Sequence, residues 1–442
     1  MSEEITVHKF GGSCLRDSSD LDRIAEVVGD WSGRTMVVVS ALWGTTDRLM
    51  RASKEPRYAS RLVNDLSSQH LRFAPGLLNS EIGPLFEKVL SGIEQSLVEL
   101  ASTPTNPVAI NRLLAAGERL SALVVAHRLK QYGIDAHPVG AEDIGLRLNG
   151  INRAPTVDLE ASMNLLDRTS LYGTPVITGW FGEGKDGQLA LLSRGGSDHT
   201  ATSIARLVDA NKVILWKDVP GIMPLNPRWG IKTEPLAYLG YGEALELSRL
   251  DTPILHPATV EPLMDTGIPL EVRHLHGTMD ANTSTVVGPD LYQENTIKAI
   301  GCMPSVVSIR CQSKSLEQQS RRLGEVLVQF DEEGIACWHL DPQPGDIRWI
   351  VSQHDSDKAT SLIEAQFGQA SQQTYTAILS LVGNREKAQE VLDVRGAEAL
   401  GVEILSDTGH AVRLLAQTKD MSHLLHELSR QCNVDHVVKT RD

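Results

Sequence analysis

The sequence predicts an α/β protein in which a largely parallel central sheet is sandwiched by helices and followed by two small α+β modules. Three observations carry this reading. Within about the first 50 residues, two strand patterns each run into a glycine-bearing polar loop and then a helical pattern, the βα repeat of parallel sheets. The second of these strands, Met36-Val37-Val38-Val39-Ser40-Ala41, is a continuous valine-rich run, as expected of a parallel strand covered on both faces. From about residue 300 a shorter β-α-β-β theme is read twice. At 442 residues the chain also exceeds the size at which one core keeps growing, so two or three domains are expected.

Taken in order, Ile5-Thr6-Val7-His8-Lys9-Phe10 alternates as a first strand and breaks at Gly11-Gly12. Leu21, Ile24, Ala25 and Val28 then fall on one helical face. A strand, a Gly-Gly turn and a helix together present backbone N–H groups to phosphate, with Lys9 as a point charge at the strand's end. No GxxxxGK[ST] is present, so this is not a Walker A loop. The valine-rich strand ends in a second polar loop, Gly44-Thr45-Thr46-Asp47. Residues from about 50 to 130 read as mainly helical, and within them Ala115-Ala116-Gly117-Glu118 places an acid directly after a glycine. Ile134 to Val139 and Pro175 to Gly179 read as strands. Gly182-Glu183-Gly184-Lys185-Asp186-Gly187 matches GxGxxG letter for letter, yet it leads into the strand pattern Gln188 to Leu192 rather than a helix. It is therefore read as a hairpin turn, not a dinucleotide fingerprint.

Ser193-Arg194-Gly195-Gly196-Ser197-Asp198 is a polar, glycine-bearing stretch running into the helical pattern Thr200 to Leu207. Arg194 offers a planar fork for a carboxylate or phosphate, and Ser197 or Asp198 is expected to cap the helix. Loop, cap and helix N-terminus together make an anion site. Lys212 to Trp216 is a strand that ends at Lys217-Asp218-Val219-Pro220-Gly221. Glu243 to Arg249 and Ala258 to Met264 read as helices and Ile268 to Arg273 as a strand. Pattern and composition change at Gly288-Pro289-Asp290, a plausible boundary. Beyond it, Val306 to Arg310, Leu316 to Phe330, Ile335 to Trp338 and Ile347 to Val351 give β-α-β-β, with a helix from Ser356. Thr376 to Val382, the helix from Glu386, Val402 to Leu405 and Ala411 to Ala416 give it again.

Composition narrows the function classes. Hydrophobic residues make up 41% and charged ones 22%, ordinary for a globular protein. A net charge of −14 argues against a sequence-independent nucleic-acid surface. Five scattered cysteines with no CxxC pair form neither a disulfide framework nor a zinc cluster and fit a reducing compartment. His274-Leu275-His276 lacks a third convergent ligand and is read as metal-free. No signal peptide and no apolar run of about 18 residues is seen, so the expectation is a cytoplasmic protein without a membrane span.

Lys9-Phe10-Gly11-Gly12-Ser13, Val39-Ser40-Ala41, Gly117-Glu118, Arg194-Gly195-Gly196-Ser197-Asp198, Asp218-Val219-Pro220-Gly221-Ile222 and Leu255-His256-Pro257-Ala258-Thr259 follow one another in this order. Together they resemble the aspartate kinase family, of the amino-acid kinase fold, over essentially the whole chain. The resemblance implies a catalytic domain over 1–290, its mainly helical part at about 50–130 on the substrate side. Two modules similar to ACT domains would follow at 300–370 and 371–442. It implies transfer of the ATP γ-phosphate to the β-carboxylate of L-aspartate, the first step of aspartate-family amino-acid biosynthesis, with Mg²⁺ held largely by phosphates and water. Such a transfer needs positioning and charge neutralisation rather than covalent catalysis. By the same resemblance Lys9 and Asp198 are the catalytic pair, Lys9 bridging phosphate oxygens and Asp198 orienting either Lys9 or the metal-phosphate cluster. Ser40, Thr46, Glu118, Arg194 and Ser197 hold aspartate, with Glu118 facing its ammonium. Lys9, Gly11, Gly12, Ser13, Lys217, Asp218, Gly221, Met223 and Arg228 lie along the nucleotide. An amino-acid effector at the ACT-like modules, a homo-oligomer, and no nucleic-acid or membrane partner complete the expectation. Two alternatives stand beside it: another small-carboxylate kinase of the same fold, and a catalytically weak, amino-acid-binding regulatory subunit.

The chain departs from the family pattern at several positions. Pro253 stands where the family has a nucleotide-contacting lysine, Lys217 where it has Thr or Ser, Met223 where an aromatic is common, Asn226 where an aspartate is, and Ser193 where a glycine is. Lys217 is expected to compensate for the cation missing at 253. The usual effector strand rich in Ser-Ser-Glu is absent; Asp341 to Asp346 and Ser406 to His410 occupy the corresponding turns. Feedback by lysine or threonine and a purely structural, dimer-forming role both stay open.

Overall fold

The structure, a computed structural model, describes residues 4–55, 59–150, 155–193, 195–250, 255–277, 284–291, 295–312, 316–343, 345–395 and 397–434. The chain divides into two compact units. The first gathers residues 1–150, 155–222 and 258–289, the second residues 223–257 and 290–442.

In the first unit the strands hydrogen-bond in the order Thr285–Gly288, Leu270–His274, Lys212–Lys217, Ile5–Phe10, Arg34–Val39, Thr174–Thr178, Ala136–Val139. Every neighbouring pair is parallel except Leu270–His274 with Thr285–Gly288. The central strands are buried along nearly their whole length, which is why Val37, Val38 and Val39 follow one another without a polar break. Register places Lys9 opposite Val38 on one side and Leu215 on the other. Beneath Lys9 the rings of His8, Phe10 and Trp216 stack, and Trp216 Nε1 donates to His8 Nδ1 at 3.1 Å. Burial, with help from the charges of Arg273 and Lys212, lowers the His8 pKa to about 3, so this histidine is a neutral core residue.

The helices have readable causes. Asp17 caps Ser18–Gly29 in a reciprocal box with Asp20. Asn106 caps Pro107–Gln131, whose proline sits in the first turn where no N–H is needed. The run Gly182 to Gly187 spans the end of one strand and the turn of an antiparallel hairpin, Phe181–Glu183 with Leu189–Leu191, as its flanking strand patterns predict. Two local expectations are corrected. The helix after the polar glycine loop is capped by Gly195 in a left-handed conformation, not by Ser197 or Asp198, which lie inside its first turn. The helix expected over Ala258 to Met264 is only Pro257–Val260 followed by a 3₁₀ turn, Glu261–Leu263. Pro262 cannot supply the N–H that would carry an α-helix onward.

The second unit holds a six-stranded antiparallel sheet in the order Cys337–Gln343, Asp346–Ser352, Ile297–Cys311, Ala370–Gly383, Ala411–Ala416, Val402–Asp407. The two β-α-β-β repeats are fused, because Ile297–Cys311 and Ala370–Gly383 pair along their full length, from Ile297 opposite Gly383 to Cys311 opposite Ala370. Each repeat therefore completes its sheet with the far end of the other's long strand. Residues around Val326, Phe330, Trp349 and Ile363 form one core, and residues around Leu379, Leu392, Leu414 and Leu428 another. Within this unit Glu246, on the helix Tyr241–Ser248, is almost fully buried. It accepts from Arg413 Nε at 2.6 Å, Arg413 Nη2 at 2.7 Å and Ser380 Oγ at 2.6 Å. Among the described residues no helix is long and apolar enough to cross a membrane.

Candidate functional site

The site is built at the carboxyl ends of the parallel strands, where an open α/β sheet leaves its crevice. Lys9 ends the central strand and is buried, its ammonium 2.6 Å from Asp198 Oδ1. Asp198 lies in the first turn of Gly196–Val208 because Gly195, at φ +80°, turns the chain into the helix without a side-chain cap. Lys217, at the end of the next strand, reaches the other oxygen of Asp198 at 2.8 Å. Burial pushes the Asp198 pKa up, yet the charges and hydrogen bonds of Lys217 and Lys9 outweigh it and hold the carboxyl well below the usual carboxylate range. One buried carboxylate thus fixes two ammonium groups and leaves the trio with a net positive charge. The turn after the strand is equally constrained: a Cβ on Gly11 would stand 3.2 Å from Lys9 Nζ.

Glu118 arrives from below, midway along Pro107–Gln131, on a stretch buried on every side. Gly117 permits this, since a Cβ there would come within 3.0 Å of Ala41 Cβ and 3.3 Å of Leu49 Cδ1. Glu118 Oε1 accepts from Ala41 N at 3.2 Å, while Oε2 is buried with no hydrogen-bond partner among the described residues. Burial raises the Glu118 pKa to about 8, against the lowering pull of the Ala41 N–H and the charge on Lys9. A buried carboxyl in this state is suited to pairing with a cation beyond Lys9.

A pocket of about 710 Å³ joins these elements, and Lys9, Gly12, Ser40, Thr46, Glu118, Ser197 and Asp198 all line it. Gly11 and Ser13 flank Gly12 in the same turn. Lys217 joins the site through Asp198, whereas Asp218 turns to Arg16 Nη2 at 2.9 Å. Gly221 is buried in the first unit, and Met223 and Arg228 belong to the second. Arg194 and Pro253 lie outside the described residues, as does Pro344. His276, half of the His-Leu-His pair, is 2.6 Å from Asp20.

The structure adds pocket residues that the sequence does not single out: Trp43, Asp47, Trp180 and Leu192. Trp180 adopts φ +73°, unusual for a residue with a large side chain, and its N–H donates to Thr200 Oγ1 at 3.1 Å. The one sequence signal is its place directly after Gly179, where a strand ends. Nothing in the local pattern announces a left-handed tryptophan.

Comparison with known proteins gives the family and the fold. Residues 4–274 match the model of the amino acid kinase family. Lysine-sensitive aspartokinase 3 of Escherichia coli is 28% identical over 281 residues, an alignment spanning 61% of each chain, so it covers less than two thirds of that protein. Aspartokinase 2 of Bacillus subtilis is 30% identical over 348 residues, covering 75% of this chain and 84% of that one. In fold, the chain matches the crystal structure of E. coli aspartokinase III in complex with aspartate and ADP. That match has a TM-score of 0.78 at 22% identity, covering 97% of this chain and 99% of that one. The chain belongs to the amino acid kinase family and, within it, to the aspartokinases.

Proposed function

We propose that this member of the amino acid kinase family transfers the γ-phosphoryl group of ATP to the β-carboxylate of L-aspartate, giving 4-phospho-L-aspartate. The observation that carries the reading is the pairing, in one pocket, of a lysine-bearing anion site with a buried carboxylate whose Oε2 has no partner among the described residues. An amino acid with a second carboxylate satisfies both ends. Its ammonium supplies the cation that Glu118 lacks, and its side-chain carboxylate then faces the strand ends where Lys9 stands. Lys9 would bridge oxygens of the transferring phosphoryl group, with Gly11 and Gly12 lending backbone N–H groups. Asp198 acts as a positioning residue through its bonds to Lys9 and Lys217. Ser40, Thr46 and Ser197 line the acceptor side, and Arg194, on the resemblance alone, would clamp a carboxylate. Ser13, Lys217, Asp218, Gly221, Met223 and Arg228 keep their place along the nucleotide on the same ground.

Catalysis of this kind needs alignment and neutralised charge rather than a covalent intermediate. Both oxygens of Asp198 hold ammonium groups, so Mg²⁺ would be bound by the nucleotide's phosphates and water, the hard oxygen donors it prefers. Bound there, it would neutralise phosphate charge. The catalytic domain would span 1–290, with ACT-like modules at 300–370 and 371–442 offering an amino-acid effector site in a cytoplasmic homo-oligomer. The test is direct: purified protein with MgATP and hydroxylamine, which traps acyl phosphates, offered aspartate, glutamate or N-acetylglutamate in turn. Hydroxamate from aspartate is expected. Turnover of another acid in its place, or none without a partner chain, overturns the reading.

A further inference from the structure

Arg16 lies four residues beyond Gly12, where three of the strand-end loops meet. Its backbone N–H is fixed by the buried carboxylate of Asp20, at 2.7 Å. The neighbouring carbonyl of Leu15 accepts from the Trp43 N–H at 3.0 Å, which stitches the loop after the first strand to the loop after Arg34–Val39. The guanidinium carbon lies 4.5 Å from the centroid of the Trp43 ring, and Trp43 lines the pocket. Nη2 reaches Asp218, the residue directly after Lys217, at 2.9 Å. The head of Arg16 thus spans from a pocket wall to the loop whose first lysine already holds Asp198.

Three features of this arrangement point to a ligand. The guanidinium carries five N–H donors, and among the described residues only Nη2 makes a hydrogen bond. Both partners of the Arg16–Asp218 pair are about half exposed, at 47% and 49%, and an ion pair so exposed contributes little. It is readily exchanged for a stronger anion. Lys9, Lys217 and Asp198 together carry one net positive charge, well short of the charge on a triphosphate. A stacked arginine with free donors beside that trio is the side chain best suited to add a bidentate phosphate contact.

We propose that Arg16 is a polyphosphate-binding residue of the nucleotide site, exchanging Asp218 for phosphate oxygens when the nucleotide binds. The proposal rests on the phosphoryl-transfer reading given above. The experiment is calorimetric titration of the full chain with MgATP, MgADP and AMP, using wild type, Arg16→Ala and Arg16→Lys. Thermal melts confirm that each variant is folded. Arg16→Ala is expected to weaken MgATP by at least about tenfold and AMP by less than about twofold, with Arg16→Lys in between, as befits a charge-assisted contact. If wild type binds MgATP and Arg16→Ala binds it within twofold, Arg16 is only a surface ion pair and the proposal falls. Equal losses for MgATP and AMP overturn it too, because the contact would not be to the added phosphates. Wild type that binds no MgATP overturns the phosphoryl-transfer reading itself, and this proposal with it.

Discussion

Glu118 is the group whose behaviour most sharply tests the site. Its carboxyl is raised to about 8 in the folded chain from an ordinary 4.5, chiefly by burial. Between those values the folded state holds a proton that the unfolded chain has released, so stability falls as pH rises through the window. The stabilisation is complete below 4.5 and is lost as pH passes through 8. At about 1.4 kcal/mol per pH unit for one proton, the whole window is worth at most about 5 kcal/mol. Glu118→Gln keeps the shape of the side chain and cannot titrate, so chemical denaturation across pH 5 to 8 should lose this slope. On the proposed assignment the same proton governs substrate binding. Aspartate's ammonium needs the ionised carboxylate, so aspartate affinity in the wild type should rise about tenfold per pH unit up to about 8 and then level. Calorimetry at pH 7 in buffers of different ionisation enthalpy should show about one proton released per aspartate bound. In Glu118→Gln, affinity should fall by about tenfold or more and lose its pH dependence. Identical pH slopes in the two proteins, or an aspartate affinity flat from pH 6 to 8, would refute the assignment.

Two further outcomes follow from ion pairs. Lys217→Ala removes one of the two cations holding Asp198 and leaves Lys9 alone to oppose burial, so the Asp198 pKa should rise, any acid limb it sets in the turnover profile should move to higher pH, and the KM for ATP should rise severalfold. Unchanged ATP affinity and an unmoved acid limb would show that Lys217 compensates for nothing. Arg413→Met strands the buried Glu246 carboxylate and should cost the full chain about 3–5 kcal/mol in urea denaturation. Burial raises the Glu246 pKa, but Arg413 and Ser380 outweigh it and the net shift is downward. The pair's contribution is therefore present above pH 4.5 and lost as pH falls below it. Adding Glu246→Gln to Arg413→Met should recover much of the loss, and equal stability of wild type and Arg413→Met would contradict the bookkeeping.

Much of this was legible in the sequence because parallel sheets concentrate their chemistry at one edge. A strand pattern that stops at Gly11-Gly12 places Lys9 at that edge with no knowledge of the rest of the fold, and the valine run does the same for Ser40. Gly117 before Glu118 marks a helix that must approach closely, a need the Ala41 contact makes explicit. What stayed hidden depends on pairings between distant residues. Lys217 comes to share Asp198 with Lys9 because the strand at 212–217 lies beside Ile5–Phe10, more than 200 residues away in sequence. The fusion of the two C-terminal repeats through Ile297–Cys311 and Ala370–Gly383 is likewise non-local, and each repeat alone shows a complete pattern. Trp180 is hidden for another reason: its left-handed backbone is held by its surroundings, here Thr200 and Leu192, rather than by the residue's own preference.

The two buried carboxylates of the pocket divide its labour by how completely they are satisfied. Asp198 has an ammonium on each oxygen, so its ionised form is fixed before any ligand arrives, and its contribution is to hold Lys9 and Lys217 at set positions. Glu118 has one backbone N–H and an orphaned oxygen, so it stays protonated near neutrality until a cation enters. A ligand lacking an ammonium gains nothing from Glu118, and one lacking a negative group gains nothing from the lysines. On the proposed assignment an amino acid bearing a second carboxylate is rewarded at both ends, and discrimination against simple dicarboxylic acids is expected to follow from the unsatisfied oxygen of a single glutamate.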